Sequence, residues 1–441
     1  MSFLSFWRIF IGVHVTRILG GFLVKFALKY GSTEVSFEVP DENFAGTLEV
    51  RDVPGCANPV GEIKRSIRNP IGSPPLHVVM RGKRDAVIVV NDHTRDTRTR
   101  EILAALLGEL DEIGFPSRDI TIIFGCGTHR KVKDDEAKAI LGEDVWSKYE
   151  WVSHDCDGNL TFLGETSFGN RIYINSLVAE ADAKILTGDI TFHYYAGYTG
   201  GRKSILPGVS ARETILFNHA MMLHPAARSG VLDGNPVHLD MTEAARLAKP
   251  DFIVNVVQNT KGEIVRAFSG DLEAAFMEGV KLVDSLYKAE SEPADIIILS
   301  AGGYPKDIDF YQAHKALDNV IPMVKDGGCV IFLAECRDGV GNQVFYEWMK
   351  EKLSIDEMEK RLKSNFKMGG HKAYYLAKAL EKVKIFMLSS LPAEELENVF
   401  NVTPIESVED GLRKALETIG KNAKIKVVPH GAAILASIKK K

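Results

Sequence analysis

An α/β fold is predicted, with two α/β domains, predominantly parallel sheets and an active-site cleft between the domains. Three observations predict it. Apolar runs of strand length are followed repeatedly by a polar loop and then an amphipathic helix, the pattern of βαβ units. The chain has 441 residues, more than one ordinary core accommodates. The polar loops fall after the carboxyl ends of the expected strands, the edge at which open α/β sheets bind ligands.

Taken in order, Met1 to Val24 is apolar and aromatic but interrupted by Arg8 and Arg17, too short an uncharged run to span a bilayer. Residues 1–25 therefore read as an atypical N-terminal extension, either a start placed too early or a peripheral membrane helix. Tyr30 to Pro40 alternates as a strand does, with Thr33, Val35, Phe37 and Val39 on one face. Asn58 to Ile67 reads as a helix, and the Pro-Gly stretch after it as a loop. Strands follow at Asp85 to Val90 and Ile120 to Phe124, each with its loop (92–99 and 125–130) and helix (100–113 and 133–141). Ala183 to Thr187 is a strand. Ser210 to Met222 is a helix carrying His219, and Asn235 caps another with Pro236 at its first turn. Phe252 to Val257 returns as a strand.

The charged stretch 281–293 is the expected hinge. It separates an N-terminal domain of 26–288, rejoined by 425–441, from a C-terminal domain of 289–424. The latter opens with a strand at Asp295 to Ser300, a loop, and a helix from Gln312.

Apolar residues make up 45% and charged residues 26%, an ordinary soluble composition. A net charge of −5 gives no electrostatic footprint for nucleic acid. The five cysteines are scattered without a CxxC pair, which points to a reducing compartment, the cytoplasm. No later stretch reads as a membrane span. A homo-oligomer is compatible with this composition.

The chemistry concentrates between Thr191 and Gly208, where His193, Arg202 and Lys203 lie among Gly197, Gly200, Gly201 and Gly208. A histidine and a lysine on a glycine loop supply a base and a covalent anchor. A P-loop needs GxxxxGK, and here Arg202 stands before Lys203 where glycine belongs. The amides of Gly200 and Gly201 with Arg202 remain suited to a phosphate; the bland alternative is a structural turn. Asp92, Arg95 and Arg98 crowd the 92–99 loop with Arg100 just after it, which is either an anion site or a solvated surface. His129 lies on GCGTHR. With Cys126, His154 and Cys156 it gives a CxxH…HxC set that fits no strong zinc pattern. His219 and His224 are five apart, not the four of a zinc-protease helix. Gln312 and Lys315 share a face at a helix start, suited to an anionic substrate or to plain surface.

Together these residues resemble the nickel-dependent lactate racemase family, from about Tyr30 to the C-terminus. HYYAGYTGGRKSILPG at 193–208 is the most specific piece, supported by NH at 218–219, GTHR at 127–130, DHTR at 92–95 and YQAHKAL at 311–317. The resemblance implies a nickel-pincer nucleotide, a pyridinium mononucleotide with two sulfur-containing arms and a carbon–nickel bond. It implies Lys203 as the thioamide tether, His219 as the nickel ligand, and Asp92 and Arg95 on the ribose and phosphate. It implies His129 and His193 as bases, and Tyr311, Gln312 and Lys315 at the substrate. The implied reaction removes hydride from a 2-hydroxy acid, passes through a planar 2-keto acid, and returns the hydride to the other face. Cofactor-biosynthesis proteins are implied partners.

Two departures touch the substrate end. His93 stands where the lactate enzyme has arginine, and GGHK at 369–372 lies where that enzyme carries a tryptophan. The expected substrate is therefore a 2-hydroxy acid other than lactate, such as a hydroxy-diacid or a sugar acid. Two other readings stand beside this one: a nickel-free nucleotide- or sugar-acid-binding protein, and a zinc hydrolase built on His129 and Cys126.

Overall fold

The computed structural model describes residues 15–18, 21–364 and 366–439. The chain divides into two compact units, Arg51–Leu286 and a second made of Met1–Val50 with Tyr287–Lys441.

The unit Arg51–Leu286 is built on a six-stranded sheet. Its order is Ile264–Gly270, Phe252–Gln258, Ala183–Asp189, Ala86–Asn91, Ile120–Gly125 and Glu150–Ser153. All neighbours are parallel except Ile264–Gly270, which runs antiparallel at the edge. The central strands are continuous aliphatic runs because helices cover both faces. Ala86–Asn91 buries every residue but its last. Thr99–Glu112 presents Ile102, Leu106 and Leu110 at four-residue spacing to the core, together with Leu103. Asn58 caps Pro59–Arg68 by accepting the Gly61 amide at 2.9 Å.

The second unit carries a six-stranded parallel sheet ordered Thr403–Pro404, Lys384–Leu388, Val324–Leu333, Ala294–Ser300, Ile425–Val428 and Phe44–Thr47. Gly21–Tyr30 and Thr33–Pro40 pair antiparallel and bury Val24, Phe26, Phe37 and Val39 against Ile296, Ile298 and Val427. The alternation read from Thr33 to Val39 is thus a face on this core.

The sequence boundaries need three corrections. Residues 26–50 belong with the C-terminal segment, since Phe44–Thr47 pairs with Ile425–Val428. Residues 425–441 do not rejoin the N-terminal domain: Ile425–Val428 pairs with Ala294–Ser300, and Leu435–Ile438 with Lys288–Ser291. The expected hinge at 281–293 is regular structure, the end of the helix Ala274–Tyr287 and the strand Lys288–Ser291. Lys281, Lys288 and Glu290 lie on exposed positions of those elements, which the composition alone could not separate from a linker.

Of the expected extension 1–25, residues 1–14 and 19–20 lie outside the described residues. Val15–Ile18 pairs with Gly21–Tyr30 as strands rather than a peripheral helix. Among the described residues no helix is long and apolar enough to cross a membrane.

Candidate active site

Three loops leave the carboxyl ends of neighbouring strands Ala183–Asp189, Ala86–Asn91 and Ile120–Gly125. They are the 189–208, 92–98 and 125–130 loops. The first and last are packed together: the Gly127 amide donates to the Gly208 carbonyl at 2.9 Å. An added Cβ on Gly125 would stand 3.3 Å from the Gly208 Cα, so glycine on both sides permits this approach.

The 189–208 loop is held by its own polar groups. Gly200 has φ +81°, and a Cβ there would meet Ile190 Cγ1 at 2.8 Å and the Asp189 carbonyl at 2.9 Å. The Gly201 amide donates to Asn255 Oδ1 at 2.8 Å, and Asn235 Nδ2 donates to the Tyr195 carbonyl at 2.9 Å. Arg202 is 2% exposed. Its Nη1 donates to the carbonyls of Thr199 and Gly200, its Nη2 to those of Ala196 and Tyr198, and its Nε to His238 Nδ1 at 3.0 Å. The guanidinium also covers the Phe276 ring at 4.5 Å. In this structure the Arg202 donors go to loop carbonyls and to His238, and the Gly201 amide goes to Asn255, so none of them points to a phosphate. Gly200 serves by its shape.

That frame sets the chemistry of three side chains. His193 Nδ1 accepts the Ala196 amide at 3.2 Å, and its Nε2 lies 3.4 Å from Lys203 Nζ. Burial pushes His193 well below an ordinary imidazole, with Lys203 and Arg95 adding to it. Burial, then Arg95 and Arg202, likewise push Lys203 well below an ordinary lysine. His219 is pushed to about 3, by burial and then by Lys203. All three are thus shifted towards their neutral forms.

His219 is oriented by a chain of bonds. Asn218 Nδ2 donates to the Val237 carbonyl at 3.1 Å and to Asp240 Oδ2 at 2.8 Å, which turns its Oδ1 towards His219 Nδ1 at 3.2 Å. Nδ1 must then be the donor, and the lone pair lies on Nε2. Thr166 and Asn170 also donate to Asp240, at 2.6 and 2.8 Å.

On the 92–98 loop, Asp92 is buried. Its Oδ1 accepts the Thr94 amide at 3.0 Å and the Thr94 hydroxyl at 2.6 Å, and its Oδ2 lies 2.7 Å from His129 Nδ1. Burial works against its charge, but the bonds from His129 and Thr94 outweigh it and hold the carboxyl below its usual range. In this structure Asp92 is bonded to its own chain, a role the sequence reading did not give it. Arg95 is exposed. The Nδ1 of His93, Asp189 Oδ1 and Asn255 Nδ2 are buried and have no hydrogen-bond partner among the described residues.

In the second unit Asp309 caps the helix Phe310–Val320 by accepting the Gln312 amide at 2.6 Å. Lys315 Nζ donates to Gln312 Oε1 at 2.8 Å, as the three-residue spacing requires. Burial, then Asp309, pushes the Tyr311 hydroxyl up to about 12. The GGHK segment opens the helix Gly370–Lys382 and buries both His371 and Lys372. Lys372 Nζ donates to Asp318 Oδ2 at 3.3 Å and lies 3.4 Å from His314 Nδ1. Its ammonium stands 5.8 Å from the centre of the Tyr311 ring. Sequence reasoning missed this buried group, because nothing in the spacing of 314, 318 and 372 links them.

The zinc set does not assemble. His154 Nε2 donates to the Ser210 carbonyl at 2.9 Å, and burial, then Asp92, pushes the Cys126 thiol up to about 11. Among the described residues no group of three or more His, Cys, Asp or Glu side chains is placed to hold a metal ion.

A buried imidazole 3.4 Å from a buried lysine amine, on a loop at the carboxyl edge of a mostly parallel sheet, is the arrangement of an α/β enzyme for a small ligand. The comparisons make this specific. The lactate racemase N-terminal domain matches residues 30–230, and the lactate racemase C-terminal domain matches 289–436. The chain is 35% identical over 418 residues to the lactate racemase of Thermoanaerobacterium thermosaccharolyticum, covering 92% of this chain and 98% of that one. It is 33% identical over 427 residues to that of Lactiplantibacillus plantarum, covering 94% and 100%. The structure of the T. thermosaccharolyticum lactate racemase apoprotein superposes with a TM-score of 0.87 at 34% identity, covering 94% of this chain and all of that one. A Thermotoga maritima protein at 19% identity and a TM-score of 0.60 shares the fold. The chain belongs to the lactate racemase family. It is by that membership an isomerase of the racemase and epimerase kind.

Proposed function

We propose that this protein inverts the configuration of a 2-hydroxy acid at the hydroxyl-bearing carbon, using a nickel-pincer nucleotide. The observation that carries the reading is the setting of Lys203 and His219: a buried amine, pushed towards its neutral form, 3.4 Å from His193 Nε2, and a buried imidazole whose lone pair lies on Nε2. An amine must be neutral to form an amide-type bond, and an imidazole must be neutral to ligate a metal.

The residues fit such a group. One protein nitrogen, with no carboxylate cluster about it, suits a soft metal whose other donors are supplied by a sulfur-bearing ligand. Asp189 Oδ1 and Asn255 Nδ2 are buried polar atoms without partners, as expected where a polar ligand completes the bonding. Lys203 would hold the nucleotide and His219 the nickel, and Arg95 would meet the phosphate. When bound, the group supplies an acceptor for hydride.

The chain's own residues supply the rest. An α C–H beside a carboxylate is a poor acid, so loss of hydride with simultaneous loss of the hydroxyl proton is the easier path. His129 and His193 are the two groups that take and restore that proton. Gln312, Lys315 and Tyr311 would grip the carboxylate or the carbonyl oxygen. His93 in place of an arginine, and the GGHK segment with its buried Lys372 in the region where the lactate enzyme carries a tryptophan, favour a substrate larger or more polar than lactate. The protein would depend on the enzymes that make the nucleotide.

The test is a panel of chiral 2-hydroxy acids, deuterated at C2, given to cofactor-loaded protein in ordinary water. Racemisation with deuterium retained, fastest on a diacid or sugar acid, is the expected result. Deuterium washed out to solvent would overturn the hydride route, and lactate exceeding every other acid would overturn the substrate assignment.

A further inference from the structure

Asp92 is the least expected group at the site. The family resemblance places it on the nucleotide's ribose, yet here both carboxylate oxygens are engaged by the protein. Oδ1 is fixed by two donors of Thr94, and Oδ2 meets His129 Nδ1 at 2.7 Å. The aspartate is 3% exposed at the tip of the strand Ala86–Asn91, while the His129 side chain is 45% exposed. A buried carboxylate thus holds a ring whose side chain is otherwise largely exposed.

We propose that Asp92 is a positioning residue that locks His129 in the tautomer with its proton on Nδ1 and its lone pair on Nε2. The ionised carboxylate accepts only, so the nitrogen facing it must carry the hydrogen. Nε2 is then the basic atom, aimed away from Asp92. When it takes the hydroxyl proton of a 2-hydroxy acid, the ring becomes an imidazolium with its second N–H already paired to an anion. The proton moves from the substrate oxygen to Nε2, and nothing else is oxidised or reduced in that transfer.

The second imidazole is set the other way. His193 Nδ1 accepts the Ala196 amide at 3.2 Å, so its neutral form carries the hydrogen on Nε2. The resting site therefore pairs one imidazole that offers a lone pair with one that offers an N–H. The two bases are inequivalent before any substrate arrives, with His129 the one prepared to accept. This rests on the racemase reading above.

The experiment separates the two. Cofactor-free protein labelled with ¹⁵N-histidine, compared with a His129→Gln variant to assign the signal among 12 histidines, reports the tautomer directly at alkaline pH. The parent should show His129 as the Nδ1–H form. Asp92→Asn, whose amide can donate to Nδ1, should shift it to the Nε2–H form, and Asp92→Ala should leave a mixture. Thr94→Ala, which spares the bond to His129, should keep the parent pattern and shows that a merely altered loop does not move the signal. In loaded enzyme, Asp92→Asn should lower kcat by about 100-fold or more with KM changed only a few-fold, while the mass of the Lys203 adduct is unchanged. An unaltered His129 tautomer in Asp92→Asn would overturn the proposal, as would loss of the Lys203 adduct with kcat preserved in the remaining loaded fraction. Absence of any Lys203 adduct in the parent would instead overturn the cofactor reading and leave the tautomer result standing.

Discussion

Replacing Arg202 with alanine asks whether this side chain binds a ligand or builds the loop. Four backbone carbonyls, those of Ala196, Tyr198, Thr199 and Gly200, lose a donor in Arg202→Ala, and His238 loses one as well. A buried acceptor left unsatisfied costs about 1–3 kcal/mol. Water entering the space brings each carbonyl to the low end, roughly 1 kcal/mol, and removing a buried charge returns part of the sum. Burial pushes the guanidinium down to about 9, which shows that this charge is held at some cost. The net loss is about 3 kcal/mol, equivalent to a fall of about 6–12 °C in the melting midpoint for a unit of this size. Thermal and urea unfolding of cofactor-free protein, followed by circular dichroism, measure it. Lysine cannot span the four carbonyls, so Arg202→Lys should fall nearly as far. Stability of Arg202→Ala within about 0.5 kcal/mol of the parent, with nucleotide affinity lost, would refute the loop-building role.

Three further outcomes are expected. Gly200→Ala should destabilise the cofactor-free protein by about 1–3 kcal/mol, because φ +81° strains any L side chain and the new Cβ would press on Ile190 and the Asp189 carbonyl; urea unfolding checks it. Below about pH 6.5 stability should fall with pH by up to ~1.4 kcal/mol per unit for each buried imidazole. The unfolded chain protonates His219 while the native site resists down to about 3, so His219→Gln should flatten that slope in urea titrations between pH 6.5 and 4.5. His219→Ala should keep the mass added at Lys203 but lose nickel by elemental analysis, whereas Lys203→Arg should never gain the mass.

The fold was legible because local and global signals agree. Runs such as 86–91 and 294–300 are aliphatic throughout, as strands buried on both faces must be. The cap at Asn235 and the helix start at Pro236 were readable from neighbours alone. The domain division was not, because it depends on which sheet a strand joins. Ile425–Val428 and Phe44–Thr47 find each other nearly four hundred residues apart, and neither run encodes its partner. In the site, residue types on glycine loops singled out His193, Lys203 and His129, and a helix after them His219. What each side chain bonds was hidden. Arg202 looked like an anion binder because its type is right for one, and only coordinates show four of its bonds on loop carbonyls and the fifth on His238. The orientation of His219 through Asn218 and Asp240 had one readable hint, the adjacent asparagine. The Lys372–Asp318–His314 group had none.

The most direct measurement is peptide mapping with metal analysis on protein produced alongside the nucleotide-making enzymes. The account predicts added mass confined to the peptide carrying Lys203, with nickel present in equal amount. Racemisation of hydroxy acids by protein whose Lys203 peptide is unmodified and metal-free would contradict it.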